Sequence, residues 1–219
     1  MQIQTTKIKF PDINLHTRDA HKLRGYFGNL FKEKSPLLHN HFETGQNRYA
    51  YPLVQYKIIN KTPHLIGLNE GAELLIELFL KIKEIKIEDN FYSIYSKNIT
   101  NQLSIIGIDS NLNEYKFQTL WMALNQNNFN KYINLLPGKE KKDFLEKVLI
   151  GNILSFFKYM NYKAEERIYV KLNFTEKETL FKNRQMIAFA GTFTTNVLLP
   201  DLIGLGKAVS RGFGTIKKI

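Results

Sequence analysis

Residues 49–68 read YAYPLVQYKIINKTPHLIGL: an aromatic and β-branched run to Ile59, a polar break at Asn60–Pro63, and a second apolar run from His64 to Leu68. Two such runs on either side of an Asn-led break predict antiparallel strands joined by a turn. Upstream, Asp19 opens a stretch in which Leu23, Phe27, Leu30 and Phe31 recur at helical spacing, and residues 2–10 (QIQTTKIKF) alternate as a strand does. Downstream, Leu74, Leu75, Leu78 and Phe79 share one face of a helix expected over residues 70–82, and residues 91–95 return to strand character. The order β-α-β-β-α-β is the ferredoxin-like (RRM-like) unit, whose four-stranded sheet leaves one face open and suits RNA.

The second half is less regular. Residues 114–124 read as a strand, 139–160 as a long helix, and 168–175 and 185–197 as strands. The polar segments KNITNQLS and DSNLNE place a boundary within residues 97–112. The expected fold is therefore α+β, in two domains: residues 1–100, carrying a histidine-bearing loop, and residues 101–219, carrying a glycine-rich loop. No short repeat or low-complexity tract appears.

The chain has 219 residues, with 31 Lys and Arg against 20 Asp and Glu, a formal charge of +11. That balance is the footprint of a protein that meets nucleic acid or an anionic surface. No apolar run is long enough to span a bilayer, and the N-terminus lacks the apolar core of a signal peptide, so a cytoplasmic protein is expected. The absence of cysteine removes disulfides, thiolate zinc sites and a Cys nucleophile. Any catalysis then falls to His, Tyr, Lys, Ser or carboxylates.

Residues 203–218 read IGLGKAVSRGFGTIKK, two glycine pairs (Gly204, Gly206 and Gly212, Gly214) around a spacer that holds Lys207, Ser210 and Arg211. Glycine permits φ > 0 and close approach to a ligand, and the spacer supplies donors for phosphate. A single Gly-x-Gly is common in turns; the doubled pattern with its cations points to a loop that grips a polyanion.

His39 and His41 stand two apart in LLHNHFETG, between the first helix and the second strand. Two imidazoles on one loop are suited to general acid and base work near neutral pH. Solvated surface, or packing against Phe42, accounts for them equally well. The letters H-N-H do not make a metal-dependent nuclease, because no carboxylate and histidine cluster at ligand spacing accompanies them. His16, His21 and His64 read as structural or solvated, and Arg18, Lys22 and Arg24 form a basic face that is either plain surface or a neighbour of phosphate.

The glycine loop GLGKAVSRGFG, the helix LRGYFGNLF and the loop HNHF together resemble the CRISPR-associated repeat-processing endoribonucleases, the Cas-six family of the RAMP superfamily. The likeness runs from about Asp19 to the C-terminus. It implies tandem ferredoxin-like domains and metal-independent cutting of CRISPR precursor RNA within each repeat, with no cofactor. In the likeness His41 matches the family's general acid or base and His39 a second histidine of some branches. Tyr26 or Tyr49 matches an active-site tyrosine, and Gly204, Gly206, Lys207, Ser210, Arg211, Gly212 and Gly214 match the RNA-binding loop. Where other members keep a lysine this chain has Gln46, Asn47 and Arg48, which leaves Arg48 as a candidate for the missing cation. The resemblance implies repeat RNA as partner, with an effector complex and a homodimer left open. Its alternatives are a non-catalytic RNA-binding subunit of the superfamily, or a general binder of acidic partners.

Overall fold

The computed structural model describes residues 1–31, 51–181 and 184–219. The chain divides into two compact units: Gln2–Ser104 with Ser210–Gly212, and Ile105–Val209 with Met1 and Phe213–Ile219.

In the first unit β1 (Gln2–Lys9) leads through a 3-10 turn (Thr17–Asp19) into α1 (Ala20–Leu30). β2 (Val54–Ile59), β3 (Thr62–Leu68) and α2 (Glu70–Phe79) come next, then a hairpin of β4 (Glu84–Ile87) and β5 (Asn90–Ser93), then β6 (Asn98–Ile105). The sheet order is β2-β3-β1-β6. Asn60 and Lys61 link β2 to β3 with φ of 48° and 65°. Left-handed φ at both central residues is what the twist of a two-residue hairpin demands. Ile8 lies opposite Leu65 in the antiparallel β1–β3 ladder. That face of the sheet, with Tyr56, packs against Leu23 and Phe27 of α1 and Leu75 and Leu78 of α2. Phe27 anchors the layer, its ring stacked 6.3 Å from Phe10 and 6.0 Å from Tyr56.

The strand expected over residues 91–95 is β5, which pairs with β4 in a separate ribbon; the fourth strand of the sheet is β6. The two were hard to tell apart because β6 is an edge strand in which Ser104 alone is buried. It therefore carries no apolar alternation, and NITNQLSI looks like a polar boundary.

The second unit contains β7 (Gly107–Phe117), α3 (Gln126–Ile133), α4 (Lys139–Tyr159), β8 (Val170–Phe181), β9 (Arg184–Leu198) and β10 (Ile216–Lys218). Its sheet order, β10-β7-β9-β8, repeats that of the first unit: last strand, first, third, second. Both units are ferredoxin-like. α4 buries Leu145, Leu149, Ile153, Phe156 and Phe157 along one stripe.

β7 ends at Phe117, short of the strand expected to residue 124, and Trp121 makes a lone two-way backbone bridge to Phe189. α3, QNNFNKYI, has no counterpart in the sequence reading. It is started by Asn125, whose side chain accepts from the Asn128 N–H at 2.7 Å, and is held by buried Tyr132. Where the first unit crosses over through α2, the second has no α-helix. Residues 199–215 carry a 3-10 turn (Val209–Arg211) and the glycines. Among the described residues no helix is long and apolar enough to cross a membrane.

Candidate functional site

The loop between β9 and β10 is sewn to the second unit by backbone bonds. The Lys207 N–H donates to the Met122 carbonyl at 3.0 Å, Gly214 to Leu120 at 2.8 Å, Leu205 to Gly214 at 2.9 Å, and Thr215 to the Thr119 hydroxyl at 3.0 Å. Gly214 sits at φ 62°, and a Cβ there would lie 1.9 Å from the Leu205 carbonyl oxygen. Gly206 is pressed in the same way against Met122 and the Trp121 indole, whose Nε1 donates to Asn152 at 3.0 Å. The close approaches these two glycines permit are therefore to the protein's own backbone and indole. Gly204 is buried and bridges Thr215. What the loop presents is the spacer: Lys207 is exposed, Ser210 and Arg211 are half-buried, and Val209 is the apolar anchor between them.

Ser210–Gly212 packs with the first unit. Gly212, at φ 90°, has room only for hydrogen: a Cβ would meet the Ala20 Cβ at 2.9 Å and the Tyr56 carbonyl at 3.4 Å. Ala20 and Arg24 are one turn apart on α1, so they share the face that Gly212 touches. Arg24 is half-buried, and its guanidinium is held below the usual arginine value by desolvation first and by the Arg211 charge second.

The basic face expected on α1 divides. Lys22 is committed to acids, its Nζ 2.9 Å from Asp19 and 2.8 Å from Glu88. Tyr26, two residues beyond Arg24 and so on a different side of the helix, donates its hydroxyl to the Glu84 carbonyl at 3.1 Å. Its ring stands edge-on to Phe27 at 5.2 Å, and burial pushes its pKa up. His39, His41, Arg48 and Tyr49 lie outside the described residues.

Two of the remaining histidines have their rings tied to backbone: His21 Nδ1 is 2.7 Å from the Arg18 carbonyl and His64 Nδ1 is 2.9 Å from the Thr62 carbonyl, while at His16 the backbone N–H donates to the Asp19 carboxylate at 3.2 Å. His64 is also the middle of a rung: Lys57 on β2 and Lys9 on β1 both pair with it. Since Ile8, Tyr56 and Leu65 face the helices, Lys57, His64, Lys9 and Lys7 project from the opposite face of the sheet. Burial lowers the His64 pKa, and the charges of Lys9 and Lys7 lower it further. Among the described residues no three His, Asp or Glu side chains gather as a metal-ligand set.

Lys57 has no solvent-accessible surface, and burial drops its pKa from 10.5 to about 7. The folded state therefore holds this proton more weakly than the unfolded chain does. The penalty for burying the ammonium is full below about pH 7 and is relieved as the pH rises towards 10.5. Wild-type stability is expected to rise across that window relative to Lys57→Met, which lacks the group. Urea midpoints at several pH values check this, and parallel curves for the two proteins rule it out.

Sequence reading treated Arg24 as one of three equivalent basic residues and passed over Lys57. The signal for Lys57 was a lysine in the middle of an apolar strand that is buried along almost its whole length; for Arg24 only the fold supplies one.

Family models for the Cas6b N-terminal domain and C-terminal domain match residues 1–105 and 107–219. A crystal structure of Cas6b superposes with a TM-score of 0.95 at 37% identity, covering 100% of both chains. A structure described as the CRISPR RNA processing endoribonuclease Cas6b gives 0.82 at 34%, again over 100% of both. An uncharacterized protein of Methanocaldococcus jannaschii is 33% identical over 144 residues, 65% of this chain and 97% of that one. Matched along both halves in sequence and in fold, this chain belongs to the Cas6b family.

Proposed function

We propose that the chain is a CRISPR RNA processing endoribonuclease that cleaves precursor RNA within its repeats, without a metal ion. The observation that carries this is the end-to-end similarity, at 34% identity, to a Cas6b structure described by that activity. The charge of +11 and the cationic spacer of the glycine loop suit an RNA partner. It works in the cytoplasm, and residues 1–100 supply the histidine loop while residues 101–219 supply the glycine loop.

In this reading His41 takes the proton from the ribose 2′-OH, and O2′ attacks the adjacent phosphorus in line as the bond to O5′ breaks. His39 or Tyr49 delivers a proton to the departing O5′, so the products are a 2′,3′-cyclic phosphate and a 5′-hydroxyl. Tyr26 is the weaker choice for that proton, because its hydroxyl is already spent on the Glu84 carbonyl. Arg48 offsets the charge that builds on the phosphoryl oxygens. Lys207, Ser210 and Arg211 hold the RNA backbone, on a loop that Gly204, Gly206, Gly212 and Gly214 shape.

The test uses repeat RNA from the chain's own genomic neighbourhood. Cleavage is expected to persist in excess EDTA and to leave the stated ends, and RNA with a single 2′-deoxy sugar at the cut is expected to bind and stay whole. Cutting of the deoxy RNA overturns the mechanism. Binding without cleavage of the all-ribose RNA reduces the chain to an RNA-binding subunit.

A further inference from the structure

We infer that the exposed face of the second unit's sheet is a further RNA-binding surface, on which Lys116 and Lys217, in line with Thr192 and Asn173, hold the RNA backbone by its phosphates. The inference rests on the RNA-processing reading and adds to it a surface outside the glycine loop.

The two faces of that sheet are unlike. On one, Tyr115 and Phe117 of β7 meet Phe193 of β9, each ring 5.3 Å away. Phe189 of β9 meets Tyr132 of α3 at 5.6 Å, and Tyr132 meets Phe144 of α4 at 6.2 Å, so this is the face the helices cover. Side chains alternate along a strand, and the residues between these project the other way. The register aligns Lys217, Lys116, Thr192 and Asn173 in one rung across β10, β7, β9 and β8, with Glu114, Thr194 and Lys171 in the rung beside it. Both lysines of the first rung are exposed, as is Asn173, and Thr192 is half-buried.

Three observations carry the inference. Lys116 and Lys217 are directly opposite each other on antiparallel neighbours. Such a pair stands with Cβ atoms roughly 4.5–5.5 Å apart, and like charges in that position destabilise a sheet. Among the described residues neither lysine has a hydrogen bond or ion pair through its side chain, and Glu114 on the next rung is joined to neither. A sheet selected for stability alone would not oppose two free lysines; an anion seated over them turns the repulsion into attraction.

The chemistry of the rung selects the anion. The Thr192 hydroxyl and the Asn173 amide are donors suited to phosphate oxygens, and Lys171 adds a cation one rung away. None of these positions carries an aromatic ring, the device by which open sheets of this kind stack bases, so the surface holds backbone and does not read sequence. Thirdly, Lys217 follows Gly214 by three residues, so the chain passes from the glycine loop directly into the rung. An RNA strand held by the loop's cations continues onto a cationic sheet.

The experiment measures affinity against salt concentration for the uncleavable 2′-deoxy repeat RNA and for an unrelated single-stranded RNA of equal length. The proteins are wild type, Lys116→Gln, Lys217→Gln, Lys116→Arg, and Lys147→Gln, which removes the same charge from an exposed position on α4. Each glutamine variant of the rung is expected to weaken binding by about three- to tenfold and to reduce the salt slope by about 1, equally for both RNAs. Lys116→Arg keeps the charge and should bind within twofold of wild type, as should Lys147→Gln. The rung variants should unfold at the same temperature as wild type or above it, because each relieves the opposed charges.

Rung variants that bind as Lys147→Gln does, with an unchanged salt slope, overturn the surface and leave the RNA-processing reading standing. A loss confined to the repeat RNA also overturns it, since that means base readout. So does a loss of affinity accompanied by earlier unfolding, which means the lysines act through the fold. If wild type fails to bind the repeat RNA at all, the functional reading itself falls and this surface with it.

Discussion

Alanine at both His39 and His41 is expected to lower single-turnover cleavage by at least about 10³-fold while leaving affinity for the deoxy repeat RNA within about twofold. One positioned acid or base contributes about 10²–10⁴ in rate, and removing both leaves only binding and electrostatic stabilisation of the phosphoryl oxygens. The single variants discriminate the roles. A histidine acting as base must be neutral, so its loss removes the rise of rate with pH through the imidazole range near 6.5; loss of the acid removes the fall above it. A double variant that still cleaves within tenfold of wild type rules the histidines out of the chemistry and moves attention to Tyr49 and to a lysine as base. Cleavage time courses at saturating protein, paired with equilibrium binding, separate these results.

The second large effect is structural. Gly214→Ala is expected to destabilise the second unit by about 3 kcal/mol, since strained backbone costs about 1–3 kcal/mol and a clash in a packed site adds to it. The new Cβ would sit 1.9 Å from the Leu205 carbonyl oxygen at φ 62°. The residue cannot move aside cheaply, because its N–H is bound to Leu120 and its carbonyl to Leu205. Gly151→Ala is the control: it lies within α4, has nothing within 4 Å of a built Cβ, and is expected to gain up to about 1 kcal/mol from helix propensity. Denaturant midpoints give both values. A Gly214→Ala protein as stable as wild type shows that the loop is not seated on residues 120 and 205. RNA affinity should fall with the loop's disruption, as Lys207, Ser210 and Arg211 lose their common frame.

The first unit was legible because its apolar residues are periodic. Leu23 and Phe27 on α1, and the alternation through β1, follow from sheets and helices that bury one face each, so spacing alone revealed them, and β3 showed as a short apolar run after a turn. The second unit was less so where stability came from single side chains. α3 depends on an asparagine cap and one buried tyrosine in a sequence of poor helix formers, and periodicity does not register such a helix. β6 escaped for the opposite reason: an edge strand needs neighbours on one side only, and its exposed residues bear no pattern.

The candidate residues divide along similar lines. The doubled glycines were visible as letters, but their purpose was not. At Gly206 and Gly214 the partner in close approach is the protein's own chain at Met122, Trp121 and Leu205, and that depends on atoms more than 80 residues apart in the first case. Tyr26, an active-site candidate by resemblance, and Arg24, part of the expected basic face, stand two positions apart in the sequence. Helix geometry turns one towards the Glu84 carbonyl and the other towards the face that Gly212 meets.

Amino-acid order by itself determined the ferredoxin-like pattern of the first unit, the basic character of the chain and the run of residues that carries its glycines and cations, because each is a property of composition or local spacing. Only tertiary structure decided that a glycine loop takes the place of the second unit's second crossover helix, that Lys57 is fully buried with its pKa dropped to about 7, and that Gly212 is pressed against α1 at Ala20. Those outcomes depend on desolvation and on close backbone approaches, and neither exists until distant segments of the chain have packed.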